Sequence, residues 1–429
     1  MHEDQITPQI ALERATALFD ATFNNGDPTE CERLAGEIES LMNSSAQFRT
    51  IEMARLYAMA LNNASIVNTS SVECERLADR IAALMDASKE FRAPGIALSL
   101  AATLRNTAVE SESAAERERL AQRIASLMNS SEAFQTPRIA LQYASALCDA
   151  SCKHESCLER ERLADQIETL MRSREAFMTP EIALQRATAL FNATCGNNDR
   201  AEGERLAGEI IALMRSRASF MTPQIALEWA MALVNVSRLC ESVETAERLA
   251  QEIEVLMREH PSLQTPEIAL QSAETLVNAG ALTEEPDDIE RIEGRLEALM
   301  ESSDSFRTPR IALARAEVLF NACVDSDDAE GFERMAQRID ALIGSGAEFT
   351  TPAIAVEAFK AWTFTYLYSE TGAQRERSLA RTHDWIHVIA ACDAARGDAV
   401  DFLDRALATL AEDAELPALQ ALRARLARA

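Results

Sequence analysis

Lysine is nearly missing from this chain of 429 residues: of 42 basic side chains only Lys89, Lys153 and Lys360 are lysines. Coding bias explains that, as does avoidance of lysine modification in a host cell. Aromatic residues make up 5%, so any core is built from Ala, Leu, Ile and Met. Thirteen Gly and twelve Pro are few for this length, which suits long helices. No run of about 18 apolar residues exists, which excludes an ordinary membrane-spanning helix. The opening residues "MHEDQITPQI" have neither a basic stretch nor an apolar one, so no signal peptide is expected. Nine cysteines, an odd number without framework spacing, fit a reducing cytoplasm. Phosphate-binding glycine loops, GxSxG and HExxH are all lacking, so the chain reads as a protein without enzymatic activity and without a cofactor.

Positive charge is also scarce. The net charge is −27, from 69 acidic and 42 basic side chains. Phosphates and anionic lipids attract basic surfaces, so direct binding of nucleic acid or membrane is not expected, whereas a basic protein or peptide partner is compatible.

What the sequence has in abundance is itself. "MTPEIALQRATALFNA" from Met178 returns as "QTPRIALQYASALCDA" from Gln135 and "RTPRIALARAEVLFNA" from Arg307. Aligned on Pro8, Pro94, Pro137, Pro180, Pro223, Pro266, Pro309 and Pro352, with Ile51 in the one gap, the starts fall 43 residues apart without insertion or deletion. Each unit predicts two helices. The first opens with Thr as N-cap and Pro at the first helical position, where a missing N–H costs nothing. Ile182, Ala183, Leu184, Ala187, Leu190 and Phe191 mark its apolar face, and the second helix, "ERLAGEIIALM" from Glu204, carries Leu206, Ala207, Ile210, Leu213 and Met214 on one stripe. A Phe before each next cap (Phe48, Phe91, Phe134, Phe177, Phe220, Phe306, Phe349, with Leu263 as substitute) reads as a plug between units.

One such hairpin cannot bury its apolar faces alone, so neighbours must stack. The expected fold is all-α: a right-handed α-solenoid of eight two-helix repeats over residues 1–352, then residues 353–429 as a helical C-terminal cap that includes the last repeat helix. At interaxial spacings of 8–10 Å the stack would run roughly 150 Å or more in contour. The cap holds 9 basic and 11 acidic residues, so the acidity, net −25, belongs to the repeats. The paired helices with small Ala at their crossings resemble tetratricopeptide and HEAT-like α-helical repeat proteins. That resemblance implies a solenoid that holds another protein or peptide.

Comparing units separates scaffold from surface. Asn63, Asn106, Asn192, Asn235, Asn278 and Asn321 share one place late in the first helix, and Glu-Arg pairs open every second helix, contributing Arg76, Arg119, Arg162, Arg205 and Arg248. Uniform repetition favours a structural polar ladder: Asn ties the loop, Arg reaches the first helix's last carbonyls, and Glu suits the second helix's N-terminus. The other reading is an asparagine ladder gripping a partner's extended backbone. A varied first-helix position holds Tyr57, Tyr143, Arg186, Trp229 and Arg315. Large aromatic and Arg side chains there match interface anchors and are the candidate partner-binding groove; solvent-facing drift is the alternative.

Metal signals are thin. Cys148, Cys152, His154 and Cys157 share a loop without CxxC spacing, and His383 and His387 stand one helical turn apart without the Glu of HExxH, so no metal is expected. The expectation is therefore a scaffold or sequestering protein in the cytoplasm. The alternative is an acidic nucleic-acid mimic that blocks a nucleic-acid-binding protein. Self-association is open, because the first unit has no preceding hairpin to cover it.

Overall fold

The structure, a computed structural model, describes residues 6–23, 25–324, 329–409 and 416–428. The first five residues and parts of two variable loops, Asn24 and residues 325–328, lie outside them. Among the described residues there are 20 α-helices and no strand, and 83% of those residues are helical. In order these are α1 (Pro8–Thr22), α2 (Pro28–Ser44), α3 (Ile51–Ile66), α4 (Ser71–Ala87), α5 (Pro94–Glu110), α6 (Ala114–Asn129), α7 (Pro137–Ser151) and α8 (Cys157–Ser173). Next come α9 (Pro180–Thr194), α10 (Arg200–Ser216), α11 (Pro223–Ser237), α12 (Val243–Glu259), α13 (Pro266–Gly280) and α14 (Pro286–Glu301). The last six are α15 (Pro309–Val324), α16 (Ala329–Gly344), α17 (Pro352–Tyr368), α18 (Gly372–Ile389), α19 (Asp393–Thr409) and α20 (Leu416–Leu426). None is long and apolar enough to cross a membrane.

The helix starts are set by local chemistry. The hydroxyls of Thr7, Thr50, Thr136, Thr179, Thr222, Thr265, Thr308 and Thr351 each accept the N–H three residues on, at 3.3–3.4 Å. Each satisfies a donor that has no partner inside the helix. Ala93 stands in that place before α5 and makes no such bond. Each expected plug residue sits on a single 3-10 turn, and none of the seven Phe or Leu263 is more than 6% exposed. In the turns that end in Phe48, Phe91, Phe134, Phe177, Phe306 and Phe349 the packing is against both helices of the preceding hairpin. The ring fills that hairpin's end.

Two compact units divide the chain, Met1–Asn197 with Arg205–Trp229, and Asn198–Glu204 with Ala230–Ala429. In the first unit α1, α3, α5, α7 and α9 lie side by side in one layer. Helices α2, α4, α6 and α8 form another, each packed against its own partner and the next first helix. Close approach in the first layer rests on small side chains, with Ala183, Ala187 and Ala189 fully buried. In the second unit α13, α15 and α17 repeat this arrangement with α12, α14 and α16. Helix α17 then packs on α18 and α19, and α19 on α20. Their shared core contains Phe359, Tyr366, Ile389, Leu403 and Leu422. The aromatics concentrated here meet edge to face or stacked, as in Phe320–Phe364 at 5.9 Å and Phe332–Tyr368 at 5.1 Å between centroids.

Candidate functional site

The asparagines form a ladder between successive first helices. Asn63 donates to Thr22 Oγ1 (2.8 Å), Asn106 to Ser65 Oγ (2.9 Å), Asn192 to Ser151 Oγ (2.8 Å) and Asn278 to Ser237 Oγ (2.7 Å). Each hydroxyl passes its own proton to a carbonyl three residues back, so it is left to accept from the amide. Where the hydroxyl is missing the ladder changes. Asp149, for which Ala108 stands at the hydroxyl's place one hairpin back, pairs instead with Arg105 at 3.1 Å. The amides of Asn63, Asn106, Asn192 and Asn278 are thereby engaged within the fold. Asn192→Ala is expected to cost about 1 kcal/mol by leaving Ser151 without its donor. Urea unfolding measures this; a null effect would show that the rung contributes nothing.

The Glu-Arg pairs link second helices. Arg76, Arg119, Arg162 and Arg291 donate through Nη2 to Glu32, Glu75, Glu118 and Glu247 of the preceding hairpin, each at 2.6 Å. Arg205 reaches Glu161 at 2.5 Å and Arg248 reaches Glu204 at 3.2 Å. Arg76 holds the Glu32 carboxyl below the usual carboxylate range. Arg76, Arg119, Arg162 and Arg291 thus meet carboxylates of the neighbouring second helix, where their sequence position suggested first-helix carbonyls. Different side chains do. Arg117, 7% exposed, donates to the carbonyls of Ser111 (2.7 Å), Asp149 (2.7 Å) and Val109 (2.8 Å), and Arg160 does the same for His154 and Asn192. In the first two hairpins Cys31 and Cys74 occupy that place, with the Cys74 thiol 3.5 Å from the Ser65 and Asn68 carbonyls. Sequence reasoning missed this position. Its only signal is that Cys31 and Cys74 are followed in register by Arg117 and Arg160, residues that share no property except donating to carbonyls, while the next units carry Gly203, Ala246, Ile289 and Phe332.

Of the varied first-helix residues, Tyr57, Arg186 and Arg315 bond to the second helices and do not open into a groove. Tyr57 is 2% exposed and Trp229 4%. The Tyr57 hydroxyl accepts from Arg80 Nε at 3.0 Å, and burial pushes its pKa up. Arg186, also buried, donates to Glu168 (2.8 Å) and Glu209 (3.2 Å). Arg315 donates to Glu293 and Glu297, both at 2.7 Å, and Tyr143 is half-buried. For Tyr57, Arg186 and Arg315 the physical reason is pairing with charged side chains of the second helices.

A different part of the first-helix surface stays open. Leu141, Leu184 and Leu227 occupy one place on α7, α9 and α11, each half-buried as Tyr143 is, with Gln142, Gln185 and Glu228 beside them. Thr188 Oγ1 donates to Glu228 Oε1 at 2.9 Å, tying α9 to α11, and burial raises the Glu228 carboxyl. The face offers apolar contacts flanked by amides that both donate and accept.

The cysteine and histidine candidates have other neighbours. His154 Nε2 lies 2.6 Å from Glu118, Cys152 turns to the Cys148 carbonyl at 3.5 Å, and His383 Nδ1 lies 2.9 Å from Arg425 Nη1. Among the described residues no three His, Cys, Asp or Glu side chains group so as to hold a metal ion. Burial pushes the Cys74 thiol up to about 11 and Cys323 to about 12, so both stay protonated near neutral pH. Compared with protein-family models and with curated proteins, the chain matches none.

Proposed function

We propose that the chain is a right-handed solenoid of 43-residue helical hairpins over residues 1–352, closed by residues 353–429. In this reading it is a non-enzymatic scaffold or sequestering protein that holds a basic protein or peptide in the cytoplasm. One observation carries the reading: the half-buried row of Leu141, Leu184 and Leu227, with Gln142 and Gln185 alongside, which recurs on successive first helices. An extended segment laid along it would bury apolar side chains against the leucines and hydrogen-bond its backbone to the amides. Tyr57, Tyr143, Arg186, Trp229 and Arg315 serve this face indirectly, by setting how each first helix meets the second layer. The surplus of carboxylates speeds and selects the encounter with a basic ligand.

Selection of a random peptide library on the immobilised chain tests this. The recovered peptides should be rich in Lys and Arg. Leu141→Glu with Leu184→Glu should weaken their binding by about tenfold or more in fluorescence anisotropy, since two apolar contacts of roughly 1 kcal/mol or more each are lost. Peptides that bind the double variant as tightly as the native chain would remove this face from the reading.

A further inference from the structure

At three places between successive second helices one construction recurs, with an arginine laid across the cleft. Arg80 crosses from α4 to α2, donating to Glu32 at 2.8 Å and Glu39 at 2.9 Å. Arg123 crosses from α6 to Glu75 and Asp79 on α4, at 2.6 and 2.7 Å. Arg295 crosses from α14 to Glu247 and Glu254 on α12, at 3.4 and 2.9 Å. In α8, α10 and α12 the corresponding residues are Gln166, Glu209 and Glu252. The two acceptors that such an arginine meets are still present on α8, as Glu161 and Glu168.

The cleft between α8 and α10 is accordingly undivided. Its cavity is about 680 Å³, whereas between α12 and α14 Arg295 lines two cavities of about 320 and 380 Å³. Met171, Met178 and Leu213 line one part, suited to an aliphatic stem, and carboxylates line the rest. Arg186 rises from beneath to Glu168 and Glu209, and its buried Nε finds no acceptor. Four carboxylates (Glu161, Asp165, Glu168, Glu209) face three guanidiniums (Arg172, Arg186, Arg205), leaving one negative charge in surplus. Burial raises the Glu209 carboxyl, against the opposing pull of Arg186 and Arg205 and with a smaller push from Asp165 and Glu161. In the cleft of Arg80 the same positions are balanced, with Glu32 and Glu39 against Arg76 and Arg80.

We infer that the cleft between α8 and α10 receives one arginine side chain from a basic protein partner, in the place that Arg80 and Arg295 fill elsewhere in this chain. This rests on the scaffold reading only for the existence of such a partner. Arginine is specified over lysine because the two acceptors, Glu161 and Glu168, match a planar fork better than a point charge. An anion is excluded by the surplus negative charge. The guest guanidinium brings the cleft to the neutrality seen around Arg80.

The test uses the full chain with carbon-13 methyl-labelled methionine and the probe acetyl-Gly-Arg-Gly-amide, beside its lysine and citrulline counterparts. The arginine peptide should shift the Met171 and Met178 methyl signals saturably, with lysine weaker and citrulline weaker by about tenfold or more. Glu209→Arg combined with Arg186→Tyr rebuilds the Arg80–Tyr57 arrangement and should abolish the response while the chain stays folded by circular dichroism. Arg295→Glu should open a second saturable site reported by Met257. Methyl signals unmoved by the arginine peptide, or an equal response to citrulline, would overturn the cleft and leave the Leu184 face standing. Library peptides that need the cleft yet ignore Leu184→Glu would overturn that face and leave the cleft.

Discussion

Replacing Glu293 by Gln is expected to lower the free energy of unfolding by about 3–5 kcal/mol, the largest loss from any single polar change in this chain. The side chain of Glu293 is 2% exposed. One carboxylate oxygen accepts from Arg315 Nε at 2.7 Å, and the other is held by Arg338. It therefore joins three helices, with α14 carrying the acid and α15 and α16 the two cations. Neutralising it leaves Arg315, whose side chain is 14% exposed, largely buried with only Glu297 to answer it. Burial makes the loss expensive: a cation without its counterion pays desolvation that the pair had offset. Exposed rungs such as Arg76–Glu32 lie in water and cost far less to remove, about 0–1 kcal/mol each. Urea unfolding of Glu293→Gln, of Arg315→Met and of the double variant gives the coupling between them. A loss below about 1 kcal/mol for Glu293→Gln would show that the buried pair is not held as described.

Phe220→Ala should be comparably damaging, at about 3–5 kcal/mol, because the ring is fully enclosed at the end of a hairpin and a cavity would replace it. For a unit of this size that corresponds to a fall in thermal midpoint of roughly 10 °C. Phe220→Leu makes the sharper comparison. Leu263 holds the equivalent place before α13 and is itself fully buried, so the site accepts a branched aliphatic side chain. That variant should cost less than about 1.5 kcal/mol. Equal losses for Ala and Leu would mean the ring contributes through something other than filling space, and thermal unfolding of both variants decides it.

The parts of the fold that read correctly from residues alone are those governed by contacts within a few positions. Thr179 caps α9 through Ile182, three residues away, and its Pro180 starts the helix. The stripe Leu206, Ala207, Ile210, Leu213 and Met214 is buried as its spacing implies. The ladder residues were visible too, since Asn192 and its counterparts recur in register. Their partners were not, because Ser151 lies 41 positions earlier and pairs with Asn192 only once two first helices are side by side. The varied position is where sequence logic pointed the wrong way. Arg186 and Trp229 carry the composition of an exposed anchor, yet both are buried. Composition describes what a side chain can bind without saying whether the chain itself has already bound it.

Residue order alone thus determined where helices begin and end, which stripe of each is apolar, and the sign of the surface. Caps, proline and a 3.6-residue period act inside one helix and need no neighbour. Tertiary structure decided which guanidinium meets which carboxylate, which arginine takes the carbonyls, and where a cleft stays open at Glu209. Those outcomes depend on side chains some forty positions apart, whose charges and volumes have meaning for one another only after the hairpins have packed.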